Sequence, residues 1–143
     1  MNDNQGGTIH KPVMVQEVLH YLALRDGGVY LDVTFGSGGH TRAILEHNKT
    51  CRVIAFDWDR ASLETYALPL QEAYPDRFMW IWANFAQLYK LIKKHTIGQV
   101  DGILADFGTS QMQLFERSGF SFLHDTPLDM RMSAAHQLVT AAE

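Results

Sequence analysis

Apolar runs and stretches with helical spacing alternate along the chain. β-Branched and aromatic residues fill positions 29–35, and helix-forming residues follow three glycines, so the period changes from strand to helix there. The same reading predicts four strands, at 29–35, 52–57, 77–82 and 100–105. It predicts helices at about 12–26, 41–47, 60–69 and 85–95, and a short one at 134–142. Asp59 is placed to cap the third helix, and Pro69 should end or kink it. For Trp82 a core position is favoured, with a position beside a bound ligand as the alternative.

This alternation is typical of an α/β domain, in which a parallel sheet carries helices on both faces. Open sheets of this kind bind ligands along the carboxyl ends of their strands. The candidate binding residues all follow strand ends closely: Gly36, Gly38, Gly39 and His40, then Asp57, Phe85 and Asp106. The sequence therefore predicts one binding site along one edge of the sheet.

The glycine turn after the first strand indicates a nucleotide-like cofactor. Without Cβ atoms these glycines can take positive φ and let a ligand lie against the backbone, at the positive end of the next helix. A dinucleotide fingerprint that starts at Gly36 needs Gly or Ala at position 41, where the chain has Thr41. S-adenosylmethionine has a ribose for Asp57 but no pyrophosphate, so it fits this glycine turn better than a dinucleotide does. NAD is the alternative cofactor, and the chain would then be an NAD-dependent oxidoreductase. Asp32 either hydrogen-bonds the turn or contacts the ligand directly.

Composition and charge narrow the class of protein and the partners it can bind. The chain has 143 residues, enough for one domain, and a formal net charge of −4, so any attraction for nucleic acid must come from local patches. Lys90, Lys93 and Lys94 form such a patch or simply the solvated face of a helix. One cysteine excludes an internal disulfide, the histidines lack metal-ligand spacing, and no apolar run could span a membrane. A soluble, cytoplasmic protein without a metal or a membrane partner is expected.

Several motifs in a fixed order go beyond this generic class. They are His10-x-Pro12-Val13-Met14, Asp32-x-Thr34-Phe35-Gly36-x-Gly38-Gly39-His40, Asp57-x-Asp59, Asp106-x-Gly108-x-Ser110, Gly119-Phe120-Ser121-Phe122 and Pro127-Leu128-Asp129-Met130-Arg131-Met132. Together they resemble the MraW family of 16S ribosomal RNA cytosine-N4 methyltransferases. The resemblance implies a Rossmann-like S-adenosylmethionine-dependent fold and small-subunit ribosomal RNA as the partner. It also implies a cofactor site lined by Gly38, Gly39, His40, Asp57, Phe85, Asp106 and Gln113, with Asp106 also a candidate for the catalytic residue that faces the target base.

The resemblance also implies that the fold is incomplete. Members of the family continue through a helical insertion and return to complete a seven-stranded sheet. We therefore expect the first half of the Rossmann-like domain at 10–107, with four strands, and the start of the inserted substrate-recognition segment at 108–143. The polar and glycine residues at the start of the chain separately predict a flexible lead at 1–9. The fourth strand would then leave an unpaired edge, which predicts a homodimer or a complementing chain. A non-catalytic remnant that binds the cofactor or a partner protein is the alternative function.

Overall fold

The computed structural model of the chain describes residues 12–108, 119–120, 125–131 and 137–142. Four strands form one sheet: β1 Val29–Asp32, β2 Arg52–Asp57, β3 Phe78–Trp82 and β4 Gly102–Leu104. Every neighbouring pair is parallel, and the order across the sheet is β3-β2-β1-β4. The predicted parallel sheet is therefore confirmed.

The helices lie between the strands and before them. They are α1 Val15–Leu22, α2 Gly39–His47, α3 Arg60–Ser62, α4 Leu68–Ala73 and α5 Leu88–Lys94. A π-helical turn, Leu63–Ala67, joins α3 to α4, and a 3₁₀ turn, Phe85–Gln87, precedes α5. The step from β1 to β3 and the step back to β4 run in opposite directions, so right-handed crossovers put α2 and α4 on one face and α5 on the other.

Alternate residues of the strands build a core on each face of the sheet. Along β2, Val53 and Ala55 join a cluster with Ile44 of α2, whereas Ile54 and Phe56 join a second cluster that includes Leu91 of α5. Such alternation follows from the pleat, because successive side chains of a strand point to opposite faces. Helices on both faces, as the sequence predicts, are confirmed.

Several element boundaries differ from the prediction. Strand β1 ends at Asp32 rather than at 35: the chain bends at Val33, and the Asp32 carboxylate accepts the Thr34 amide, although Val33 and Phe35 still donate to the neighbouring strands. Helix α1 begins only at Val15, since Met14 has a φ of 52° and lies outside the helix. The helix predicted at 134–142 is wrong for residues 137–142, which form no helix, and its remaining positions lie outside the described residues.

The helical segment around Pro69 is longer than predicted. Asp59 caps its start as expected, with its Oδ1 accepting the Ala61 amide at 3.1 Å. The chain then widens into the π-helical turn and continues through Pro69 to the end of α4. Because a proline ring clashes with the carbonyl four residues earlier, the wider turn before it gives the ring room. Pro69 thus changes the helix type and does not end the helix.

Strand β4 lies at an edge of the described sheet, where it pairs only with β1. The side chain of Ile103 in its centre is 53% exposed. The edge expected from the sequence is therefore present in the described part of the chain. The lead at 1–9 and much of 108–143 lie outside the described residues. In the described part, no helix has the length and apolar character needed to span a membrane.

Candidate functional site

The loop after β1 connects the ends of both neighbouring strands. The Gly36 amide donates to Oδ2 of Asp57 at the end of β2, at 2.6 Å. On the other side, the Asp106 amide, after β4, donates to the hydroxyl of Thr34 at 2.7 Å. Because the strand order reverses between β2 and β4, this loop lies at the switch point where α/β sheets bind their ligands. Sequence reasoning did not give Thr34 this role, although a hydroxyl residue just before a glycine turn is a signal for it.

The three glycines of this loop differ in what surrounds them. Gly36 and Gly38 have φ of 55° and 78°, in the left-handed region that glycine tolerates best. A Cβ on Gly38 would lie 2.7 Å from the Phe35 ring, and one on Gly39 would lie 2.8 Å from the Pro12 ring. A Cβ on Gly36 would meet only a backbone oxygen at 4.0 Å. Bare backbone therefore faces open space at Gly36, whereas Gly38 and Gly39 make room for the chain's own side chains.

Asp57 stabilises the loop after β1 and can still accept hydrogen bonds from a ligand. Its two carboxylate oxygens accept the amides of Gly36 and Asp59, at 2.6 and 2.7 Å. Burial raises the pKa of the Asp57 carboxyl, and the hydrogen bonds from these two backbone amides oppose the rise. Each carboxylate oxygen has a second lone pair, so hydroxyl groups of a ligand can still be accepted there.

Asp32 has an internal role instead. Its carboxylate is 1% exposed and accepts the Thr41 hydroxyl at 2.7 Å and the Thr34 amide at 3.2 Å. Burial raises the pKa of Asp32 to about 6. These bonds tie the end of β1 to the first turn of α2. Of the two roles left open by the sequence, the geometry favours the structural one.

His40 and Asp106 face each other across the site. His40 lies in the first turn of α2 and is 8% exposed, and its Nε2 is 3.5 Å from Oδ2 of Asp106. Its Nδ1 is buried and has no hydrogen-bond partner among the described residues. A buried nitrogen of this kind is costly unless a further group satisfies it. The Asp106 carboxylate remains about half exposed.

Aromatic side chains continue the same edge. The Phe85 and Phe107 rings lie 5.5 Å apart between centroids, and the two residues are 41% and 71% exposed. Trp82, the last residue of β3, is 37% exposed, so its predicted core position is wrong. Its indole donates to the Trp58 carbonyl at 3.0 Å, and the Arg60 guanidinium lies over its ring. Because Trp82 ends β3, its ring lies at the same edge of the sheet as the candidate site residues.

The structure brings most of the predicted site residues to one edge of the sheet. Gly36 contacts Asp57, His40 lies close to Asp106, and Phe85 contacts the residue after Asp106. Gln113 lies outside the described residues. A surface cavity occurs at the opposite edge, beside Arg52 and Phe78, where β2 and β3 begin. That cavity has none of the predicted site residues in its lining.

A parallel sheet in this order, with a glycine loop after β1 and an acid at the end of β2, defines a Rossmann-like domain. The fold is similar to that of an rRNA methylase from Streptococcus thermophilus, with a TM-score of 0.53 and 20% sequence identity. That likeness covers 76% of this chain and 61% of the other, and it shows a Rossmann-like methyltransferase fold. The chain belongs to the MraW methylase family, which it matches over residues 7–143.

Curated relatives carry the name ribosomal RNA small subunit methyltransferase H. The chain is 44% identical over 124 residues to that of Wolbachia sp. subsp. Drosophila simulans, covering 86% of this chain and 42% of the relative. It is 45% identical over 139 residues to that of Rickettsia massiliae, covering 94% and 44%. For Nitrosomonas europaea the identity is 41% over 137 residues, covering 94% and 42%. The chain spans about two-fifths of the length of these relatives.

Proposed function

We propose that this chain forms the cofactor-binding half of an S-adenosylmethionine-dependent methyltransferase that methylates the N4 amino group of a cytidine in 16S ribosomal RNA. One observation carries the proposal: the strand ends bring Gly36, His40, Asp57, Phe85 and Asp106 to a single edge of the sheet. The family and the names of the relatives support the reaction class and the RNA substrate.

The residues at this edge fit the cofactor group by group. The half-buried Asp57 carboxylate accepts the ribose hydroxyls with its remaining lone pairs. The exposed Phe85 ring packs against adenine, and the open side of Gly36 lets the ligand approach the backbone. His40, whose Nε2 lies beside Asp106, and the amides of the first turn of α2 hold the methionine carboxylate. By the family resemblance, Gly38, Gly39 and Gln113 complete the site.

Asp106 is the candidate catalytic residue. S-adenosylmethionine supplies a methyl group activated by a positive sulfur. The cytosine amino group is a poor nucleophile because its lone pair is delocalised, and the Asp106 carboxylate accepts its hydrogens and aligns it. Because the amino nitrogen would lose a proton once it carried the methyl group, the Asp106 carboxylate would be the group that takes this proton. Its half-exposed carboxylate can reach a base, and the 71% exposed Phe107 beside it offers a ring to an unstacked base.

Calorimetric titration with S-adenosylhomocysteine and with NAD tests the cofactor assignment. Asp57→Ala should weaken S-adenosylhomocysteine binding by about 1 to 3 kcal/mol, since it removes charged hydrogen bonds. Asp76→Ala is the matched control, because Asp76 is an exposed acid at the opposite edge of the sheet. Asp57→Asn keeps an acceptor for the Gly36 amide and separates ligand binding from loop stability. Binding of NAD alone, or unchanged affinity in Asp57→Ala, refutes the assignment.

Methyl transfer to small ribosomal subunits that lack the modification tests the reaction itself. Transfer to N4 of a cytidine is the expected result. Cofactor binding without transfer supports the non-catalytic alternative instead. At the outer edge of β4, which has no neighbouring strand in the described sheet, the partner is a second copy or a complementing chain, since the exposed Ile103 and the open backbone edge offer a template for pairing.

A further inference from the structure

The outer side of α5 carries aromatic and basic side chains. Tyr89 is 70% exposed, and the Lys93 ammonium lies 4.3 Å from the centroid of its ring. Lys90 and Lys94 on the same helix are also exposed. We call Tyr89, Lys90, Lys93 and Lys94 the basic helix surface.

The charge of this surface contrasts with that of the chain. The net charge is −4, so without these three lysines it would be −7. No aspartate or glutamate occurs from 77 to 100, and none of the three lysines has an ion-pair partner among the described residues. Surface charges that serve only solubility are usually mixed in sign. A local positive field of this kind attracts a polyanion.

The basic helix surface begins next to the candidate site and extends away from it along α5. The turn Phe85–Gln87 precedes α5 directly, and Phe85 contacts Phe107 at the rim. Leu91 packs inward against the sheet, on the side of the helix opposite to solvent. Residues four apart lie on the same side of an α-helix, so Tyr89 and Lys93 share one side of α5, and this side begins two residues after the end of the turn that contains Phe85.

We propose that the basic helix surface binds the single-stranded RNA next to the methylated nucleotide, with phosphates at the lysines and a base stacked on Tyr89. This inference rests on the function proposed above, from which it takes the RNA. Single-stranded nucleic acid is bound by positive surfaces that also present aromatic rings, because every base can stack on a ring. An acidic protein would need the lysines but not the exposed ring, so Tyr89 favours RNA.

Fluorescence anisotropy with a short labelled single-stranded RNA, read at several salt concentrations, tests the lysines. Each phosphate contact to a single strand contributes about 0.7 to the slope of log affinity against log salt. Lys93→Gln should lower the affinity and reduce the slope by about 0.7, and replacing all three lysines should reduce it by about 2. Lys49→Gln is the matched control, since Lys49 is an exposed lysine just before β2, at the opposite edge. Equal effects of Lys93→Gln and Lys49→Gln, or no effect of either, overturn the inference.

Two substitutions test the Tyr89 ring: leucine removes the aromatic ring, whereas phenylalanine keeps it. Tyr89→Leu should weaken RNA binding by about 5- to 150-fold, the range for loss of one stacked base, whereas Tyr89→Phe should bind like the original chain. If Tyr89→Leu binds normally and a polyglutamate peptide competes as well as RNA, the surface binds acidic protein and the RNA assignment is wrong. Circular dichroism should show the same helix content in all variants.

Titration with S-adenosylhomocysteine separates the two proposals. The surface variants should bind it like the original chain, because none of their residues is placed in the cofactor site. Failure of the original chain to bind S-adenosylhomocysteine would refute the proposed function, whereas normal binding with RNA affinity insensitive to these substitutions would refute only the surface.

Discussion

Replacing Gly38 with alanine should destabilise the fold through two separate effects. The backbone there has a φ of 78°, which costs an L residue about 1 to 2 kcal/mol. The new methyl group would also lie 2.7 Å from the Phe35 ring, which is 3% exposed and stacks on Phe78. Overpacking of this kind costs about 1 to 3 kcal/mol. The expected loss is therefore about 2 to 5 kcal/mol, a large share of a typical domain's stability.

Two other glycines separate these effects. Gly36→Ala meets no neighbour closer than 4.0 Å and has a φ of 55°, so it should lose only the backbone contribution of about 1 to 2 kcal/mol. Gly98→Ala has open space and no left-handed φ, so it should gain about 0.4 to 1 kcal/mol. Urea unfolding of the three variants measures the free energies of unfolding. If Gly38→Ala loses no more than Gly36→Ala, the packing argument is refuted.

In affinity for S-adenosylhomocysteine the order of the two variants should be the opposite, with the larger loss in Gly36→Ala and the smaller loss in Gly38→Ala. Gly36→Ala places a methyl group in open space at the proposed site, so S-adenosylhomocysteine affinity should fall more than stability does. Combining Gly38→Ala with Phe35→Leu tests the contact itself, because the smaller side chain leaves room for the methyl group. The two substitutions should then cost less together than the sum of the separate losses, by about 0.5 to 3 kcal/mol.

Two further predictions concern Asp32 and β4. The folded pKa of Asp32, about 6, lies above the ordinary aspartate value of 3.8, so the folded state binds more protons between these values and stability falls as pH rises through them. Relative to Asp32→Asn, the original chain should lose up to about 3 kcal/mol between pH 4 and pH 7 in urea unfolding, and parallel profiles would contradict this. Light scattering after size exclusion should show association through β4 that Ile103→Lys weakens, whereas a stable monomer at all concentrations would contradict edge pairing.

The strands could be predicted from the sequence because their apolar runs are long and bounded by polar residues. The prediction for β2 is correct at both ends, since its run is followed by Asp57. The end of β1 could not be found in this way. Periodicity continues to Phe35, and the amides of Val33 and Phe35 still donate to the carbonyls of Leu104 and Phe56 in the neighbouring strands. Regular strand structure nevertheless ends at Asp32, where the chain bends and the Asp32 carboxylate accepts the Thr34 amide.

The location of the candidate site follows from topology alone, because parallel strands deliver their carboxyl ends to one edge. The roles of its glycines do not follow, since they depend on what fills the volume of each missing side chain. Pro12, far away in the sequence, fills it at Gly39, and the Phe35 ring fills it at Gly38. Nothing in the described residues fills it at Gly36. At Gly36 the left-handed φ, and not a packed neighbour, accounts for the glycine, and the open space beside its backbone belongs to none of the described residues.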